Sequence, residues 1–135
     1  MDVARGLWNE PYRECQYVAC DILLQQKPTD QKLIETMTET VKELINEKSW
    51  WDTVDPLAYV IGNMLECDQT DKTHKTLDSW TQDESMWIRR AAIISQNSRK
   101  AKTDVDRLFR YCQHCAHEEE FFIAKAIGWA LRSYA

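Results

Sequence analysis

Residues 29–45, TDQKLIETMTETVKELI, carry the pattern that decides the fold. Their apolar positions follow the i, i+3, i+4, i+7 spacing of an amphipathic helix; they are Leu33, Ile34, Met37, Val41, Leu44 and Ile45. Thr29 is placed to cap this helix at its N-terminus. Since no alternation of apolar and polar residues competes with this period elsewhere, the sequence predicts an all-α protein.

The helical pattern continues on both sides of this segment. Pro11 can open an earlier helix that ends before Pro28. Ser49 can cap a third helical segment, and Asp55 followed by Pro56 marks a further helical start. The remaining helices are predicted over residues 72–81, 85–97, 104–116 and 119–134.

Short helices joined by short connections set the expected architecture. Paired antiparallel helices that recur every 30 to 45 residues or so predict an α-solenoid, with a plain helical bundle as the alternative. The length of 135 residues predicts a single domain covering residues 1–135.

Composition narrows the cellular setting. No apolar run reaches the roughly 18 residues of a membrane span, and no secretory signal opens the chain. The five cysteines are an odd number without the density of a disulfide scaffold, which favours a reducing cytoplasm. We therefore expect no membrane partner.

The basic residues are concentrated in one window of an acidic chain. The formal net charge is −5, yet residues 86–110 contain seven basic residues against only Asp104 and Asp106. The seven are Arg89, Arg90, Arg99, Lys100, Lys102, Arg107 and Arg110. On charge alone, this basic window is either a phosphate-binding surface or a solvated set of helical and loop residues.

The last predicted helix places a tryptophan away from its apparent core stripe. That stripe consists of Ile123, Ile127, Leu131 and Tyr134, whereas the opposite face holds Phe122, Lys125, Trp129 and Arg132. An indole between two cations suits stacking on a base beside a phosphate backbone. The alternative is a Trp129 buried against a neighbouring helix, with Lys125 and Arg132 extending past it to solvent.

Arg90 lies on a mostly apolar stripe of its helix, together with Met86 and Ile94. A guanidinium in such surroundings needs an anionic partner. The partner is either a phosphate or a carboxylate elsewhere in the fold.

The segment Ser49–Asp55, SWWDTVD, pairs an aromatic ring with a carboxylate. If the segment is helical, Trp51 and Asp55 share one face, while Trp50 and Val54 share another that is typical of core. A ring face attracts a cation, and a carboxylate stabilises positive charge that develops in a transition state. Alternatively, Asp55 is a helix cap ahead of Pro56 and Trp51 packs on a neighbour.

A metal site is not expected. The segment 112–117 holds four candidate ligands, but Cys112 and Cys115 share one helix face while His114 and His117 share another. No glycine-rich phosphate loop is present either. The sequence therefore predicts neither a metal nor another cofactor.

Four stretches of the chain resemble the AlkD-like DNA alkylation repair glycosylases, a family with a HEAT-like repeat fold. They keep their order along the chain and are Pro11–Tyr17, Ser49–Asp55, Trp87–Ile93 and Phe121–Tyr134. The resemblance implies a curved stack of antiparallel helix pairs that cradles duplex DNA. Full-length relatives carry further helices at both ends, so we expect this chain to be the core of a longer family fold.

The resemblance implies hydrolysis of the N-glycosidic bond of cationic alkylated purines, such as 3-methyladenine and 7-methylguanine. Asp55 would be the catalytic carboxylate, Trp51 and Trp129 the aromatic walls and Arg90 a DNA-backbone contact. It further implies contact through the sugar and backbone while the base stays stacked.

Position in the basic window or beside Trp129 adds further expected DNA contacts, at Arg89, Lys100, Lys102, Lys125 and Arg132. The expected partner is duplex DNA containing alkylated bases, and the expected location is the bacterial cytoplasm, acting at the nucleoid. Two other functions stay open: a DNA-binding module that does not cut the bond, and a protein-interaction scaffold.

Overall fold

A computed structural model describes all 135 residues and contains helices without any strand. The helices are α1 (Asp2–Trp8), α2 (Arg13–Leu24), α3 (Gln31–Ile45), α4 (Trp51–Cys67), α5 (Lys72–Trp80), α6 (Met86–Ile94), α7 (Val105–Cys115) and α8 (Phe121–Tyr134). A short 3-10 turn covers Lys100–Lys102, between α6 and α7. The prediction of an all-α protein is confirmed.

The helices form two layers that follow the order of the chain. The even-numbered helices pack side by side, α2 on α4, α4 on α6 and α6 on α8. Each odd-numbered helix packs on the even-numbered helix that follows it. Because the connections between them are short, neighbouring helices run antiparallel, and the repeated pairs give a solenoid-like stack.

A continuous apolar core lies between the two layers. It includes the fully buried side chains of Trp8, Leu57, Ile61, Trp80 and Ile88. Burial of one such side chain stabilises the fold by roughly 1.5–3 kcal/mol. This core fixes α4, α6 and α8 relative to one another, so that side chains on these helices meet at defined positions.

Gly62 of α4 lies against the backbone of Ser95, the residue that follows α6. A Cβ atom at this position would overlap the backbone carbonyl oxygen of Ser95, whereas a Cβ at Gly128 in α8 would meet no atom within 4 Å. Since the Ser95 carbonyl is backbone, it can give way only if the helices move apart.

We expect Gly62→Ala to lower the free energy of unfolding by about 1–3 kcal/mol, as overpacking of a core typically does. Gly128→Ala is the matched control, because removal of a helical glycine without a clash should stabilise by roughly 0.5–1 kcal/mol. Urea unfolding of both variants measures the difference. Equal stability of the two variants would contradict the close approach.

The structure corrects several predicted helix boundaries. The first helix, α1, was not predicted at all. The cap of α3 is Asp30, whose side chain accepts a hydrogen bond from the Lys32 amide, and not Thr29. Ser49 does not cap α4; its hydroxyl donates to the carbonyl of Ile45 at the end of α3.

Two further predictions about helices are wrong. No helix starts at Pro56, which lies inside α4. The core stripe of α8 is also shifted: Ile123 is buried, but Leu131 and Tyr134 are exposed. The buried positions of α8 are Ile123, Ala126 and Ala130, and the helix packs mainly on α6.

Candidate active site

A buried ion pair between α4 and α6 lies at the centre of the site. The Nε and Nη2 atoms of Arg90 each donate to one carboxylate oxygen of Asp55, both at 2.9 Å. Asp55 is 7% and Arg90 5% exposed. The Nη1 atom of Arg90 donates to the carbonyl of Phe122 at 2.7 Å, which adds α8 to the arrangement. The carboxylate is therefore held in one orientation by a two-bonded guanidinium.

This pairing decides between alternatives that the sequence left open. Asp55 lies within α4 and is not a helix cap, since that helix begins at Trp51. Arg90 has the carboxylate partner that a buried guanidinium needs. Its contact with the DNA backbone stays a prediction.

Aromatic rings border the ion pair. Trp51 lies one helical turn before Asp55 and is 50% exposed, so it is not packed away on a neighbouring helix. Trp129 is half-buried, and its ring is 6.0 Å from the guanidinium carbon of Arg90. Trp129 thus packs partly against the site, and part of its ring stays exposed to solvent.

Tyr59 was missed by sequence reasoning. It lies one turn after Asp55 on the same face of α4, and its ring meets Trp129 edge-on with centroids 6.2 Å apart. Burial raises the pKa of its hydroxyl above the usual value, so the group stays neutral at neutral pH. The i, i+4 spacing from Asp55 was the signal that could have found it.

The first turn of α4 is fixed from α2. Asp52 accepts hydrogen bonds from the Nε atom of Arg13 at 3.0 Å and from the hydroxyl of Tyr17. The bond from Arg13 lowers the pKa of Asp52. These bonds tie the start of α4 to α2.

The basic window does not present seven free cations. Six of its members have a carboxylate partner, which leaves Lys100 as the one member without such a partner, and phosphate binding by the window stays a prediction. The pairs are Arg89–Glu118, Arg90–Asp55, Arg99–Glu66, Lys102–Glu66, Arg107 with Asp71, Asp78 and Asp104, and Arg110–Asp78. Arg107 and Arg110 belong to α7, outside the even-numbered layer.

Arg89 is the predicted DNA contact that the structure supports least. Its Nε and Nη2 atoms bind Glu118, and its Nη1 atom donates to the carbonyls of Asp83 and Glu84. All its donor atoms are thus engaged within the protein. Arg89 ties together the loops that precede α6 and α8.

The other predicted DNA contacts keep exposed ammonium or guanidinium groups. Lys100, Lys125 and Arg132 have no carboxylate partner, and the side chain of Lys102 is 70% exposed at a 3.4 Å pair with Glu66. The Lys100 ammonium lies 3.4 Å from the carbonyl of Ser133, next to Arg132 in the chain. Lys100 and Arg132 are therefore two cations without a carboxylate partner near the end of α8.

The proposed split of the CxxC ligands is confirmed. Cys112 and Cys115 are buried, while His114 and His117 are exposed. No group of three or more His, Cys, Asp or Glu side chains is arranged to hold a metal ion. None of the helices combines the length and apolarity needed to cross a bilayer.

Trp50 differs from expectation, and the contact of Phe122 with Arg90 was missed. Val54 is buried as predicted, but Trp50, assigned to the core with it, is 49% exposed. Phe122 contributes its backbone carbonyl to Arg90, and its ring centroid is 5.7 Å from the guanidinium carbon. A backbone contact of this kind leaves no signal in the sequence.

Fold and site together define a class: an all-helical, solenoid-like protein whose even-numbered helices hold a carboxylate–arginine pair beside partly open aromatic rings. The chain belongs to the DNA alkylation repair enzyme family, whose sequence profile matches residues 1–135. The family resemblance seen in the sequence is thereby confirmed.

One solved structure similar to this chain is that of a predicted DNA alkylation repair enzyme from Enterococcus faecalis. The two chains are 31% identical, with a TM-score of 0.75. The match covers 98% of this chain and 61% of that one, so this chain spans about three fifths of the relative's length. No curated protein matches the chain.

Proposed function

We propose that the protein is a DNA glycosylase that hydrolyses the N-glycosidic bond of cationic alkylated purines in duplex DNA, as part of base excision repair. The observation that carries the proposal is the Asp55 carboxylate, which is held by Arg90. It lies on the same face of α4 as Trp51, whose ring is exposed to solvent. An electron-rich ring and a fixed negative charge together suit a substrate that is itself cationic. Family membership supports the same direction.

This reaction needs little catalytic assistance at the leaving group. An alkylated purine already carries positive charge, so it leaves readily and needs little help from a general acid. As the bond breaks, the sugar becomes oxocarbenium-like, and a nearby carboxylate stabilises that cation and orients water for attack. In this proposal Asp55 supplies the charge, while Trp51 and Trp129 face the lesion.

Arg90 then acts mainly on Asp55. By donating to both carboxylate oxygens it fixes the direction of the negative charge before substrate arrives, so little reorganisation is needed during the reaction. Contact between Arg90 and the DNA backbone belongs to the proposal as a second role.

The alkylated duplex is proposed to lie along α8, where exposed cations alternate with Trp129. Lys125 and Arg132 precede and follow Trp129 by about one turn, Lys100 contacts the end of the helix, and Lys102 lies two residues from Lys100 in the same 3-10 turn. We place the protein in the bacterial cytoplasm, with DNA of the nucleoid as substrate. Incubation with methylated duplex DNA and chromatography of released free base tests the proposal.

A DNA-binding module that does not cut is the second candidate. It is favoured by the full engagement of both Asp55 oxygens with Arg90, which leaves the carboxylate part-neutralised. Binding of methylated duplex without any release of base would identify this function.

We expect Arg132→Ala and Lys125→Ala each to weaken DNA binding equally across sequences, because phosphates carry no sequence information. Each lost phosphate contact should also reduce the slope of log K against log salt by about 0.9. Arg110→Ala is the control: its guanidinium lies on α7 and pairs with Asp78 at 3.5 Å. Fluorescence anisotropy at several salt concentrations measures both quantities. An Arg110→Ala effect as large as that of Arg132→Ala would contradict the assignment.

A further inference from the structure

Four aromatic side chains form a cluster where α4, α6 and α8 begin: Trp50, Trp87, Phe121 and Phe122. Phe122 lies at its centre, with ring centroids 4.9 Å from Trp87 and 5.3 Å from both Trp50 and Phe121. Trp87 and Phe122 are half-buried, whereas Trp50 is 49% and Phe121 63% exposed. The aromatic cluster thus consists of two half-buried side chains and two exposed ones.

The aromatic cluster is continuous with the candidate active site. The Phe122 ring lies 5.7 Å from the guanidinium carbon of Arg90, which in turn binds Asp55. Lys125, which has no carboxylate partner, places its ammonium 5.5 Å from the centroid of the Phe121 ring. Adjacent exposed rings mark an interaction surface, and the unpaired cation beside them points to an anionic partner.

We propose that the aromatic cluster and Lys125 form a second nucleic-acid site, which stacks an unpaired base near the lesion. This inference rests on the proposed function. A regular duplex hides the faces of its bases in the stack, so it offers an open ring only sugar and phosphate atoms and no base face. An unpaired nucleotide offers both a flat base for Phe121 or Trp50 and a phosphate for Lys125.

The spacing along α8 sets the distance between the two sites. Phe122 and Trp129 are seven residues apart. At 1.5 Å per residue they are separated by about 10 Å along the helix axis. That length corresponds to roughly three stacked bases at 3.4 Å each. The unpaired base is thus close enough to belong to the same bound strand as the lesion.

Binding to undamaged DNA tests the inference, since it requires no glycosylase activity. Fluorescence anisotropy compares a short duplex with the same duplex carrying one bulged nucleotide. Wild type should bind the bulged duplex at least about fivefold more tightly, the lower limit for stacking one base on an aromatic ring. Phe121→Ala and Trp50→Ala should remove this preference and leave duplex binding and the thermal midpoint nearly unchanged.

Phe109→Ala is the matched control, because Phe109 is 46% exposed on α7 and has one aromatic neighbour, Tyr134, at 6.4 Å. It should keep the preference for the bulge. Equal binding of both DNAs by wild type overturns the inference, as does an equal loss in Phe109→Ala. So does sedimentation that shows wild type as a dimer and Phe121→Ala as a monomer with its preference intact.

The two proposals fail in distinguishable ways. Release of methylated base without a preference for the bulge overturns only the second site. A preference that depends on Phe121 without any release of base supports the second site and contradicts the glycosylase. Absence of binding to any DNA overturns both.

Discussion

Asp55→Asn should slow the single-turnover release of 7-methylguanine from duplex DNA about a hundredfold. One preorganised electrostatic contact to a developing charge is worth roughly 3 kcal/mol in the transition state. The amide keeps the shape of the side chain but removes the negative charge, so the loss falls on the chemical step and not on DNA binding. Residual release should stay measurable, because a cationic purine is already an activated leaving group.

Asp52→Asn provides the matched control for this measurement. Asp52 lies on the same helix and is also paired with an arginine, Arg13, but it binds toward α2 and not toward the site. Its substitution should leave the rate of release close to that of wild type. An equal loss of release rate in the two variants would mean that both carboxylates affect the rate only by stabilising the fold. Circular dichroism at the assay temperature shows whether each variant is folded.

Arg90→Met should lower the free energy of unfolding by about 3–5 kcal/mol, because it leaves the buried Asp55 carboxylate without a partner. The double variant Asp55→Leu, Arg90→Met should recover most of that loss, since an apolar pair of similar volume can replace a buried ion pair at little cost. Urea unfolding measures both.

Lys72→Met is the surface control. Lys72 pairs with Glu35 at 3.0 Å on exposed side chains, where solvent screens the interaction. Its substitution should leave stability nearly unchanged. A small effect of Arg90→Met, similar to that of Lys72→Met, would show that the guanidinium is solvated and that the ion pair does not hold the site together.

Helical periodicity is a local property, and this is why the sequence predicted most of the helices. The segment that became α3 carries a regular apolar stripe, so its helix was predicted to within two residues at its start. In contrast, α1 is only seven residues long and contains Gly6, so it offers too few positions to show a period. Prediction of Pro56 as a helix start failed because a proline signal is ambiguous inside the early turns of a helix.

The partners of charged residues are a long-range property that periodicity does not contain. Asp55 and Arg90 were both identified as candidates, yet they are 35 positions apart, and the sequence did not name Asp55 as the partner of Arg90. The carboxylate partners of the basic window were missed for the same reason. Its acidic partners, such as Asp78 in α5 and Glu66 in α4, lie outside the window and approach it only in the folded chain.

The exposure of side chains in α8 shows a third limit of prediction from sequence. A helical wheel separates faces, but it does not tell which face meets a neighbour. Leu131 was assigned to the core by its position on the wheel, although α8 turns Ala126 and Ala130 toward the packed side. Trp129, placed by the wheel opposite the predicted stripe, is half-buried against Tyr59, whereas Leu131 and Tyr134 of that stripe are exposed.

We propose that the Asp55–Arg90 pair serves chemistry on alkylated DNA, since an apolar pair of similar volume would stabilise the fold about as well. Single-turnover release of 7-methylguanine by wild type and by the double variant Asp55→Leu, Arg90→Met tests it most directly. We predict that wild type releases the base, and that the double variant, folded with near wild-type stability, releases it at least about a hundredfold more slowly. Release by the double variant at the wild-type rate, or no release by wild type, would contradict the account.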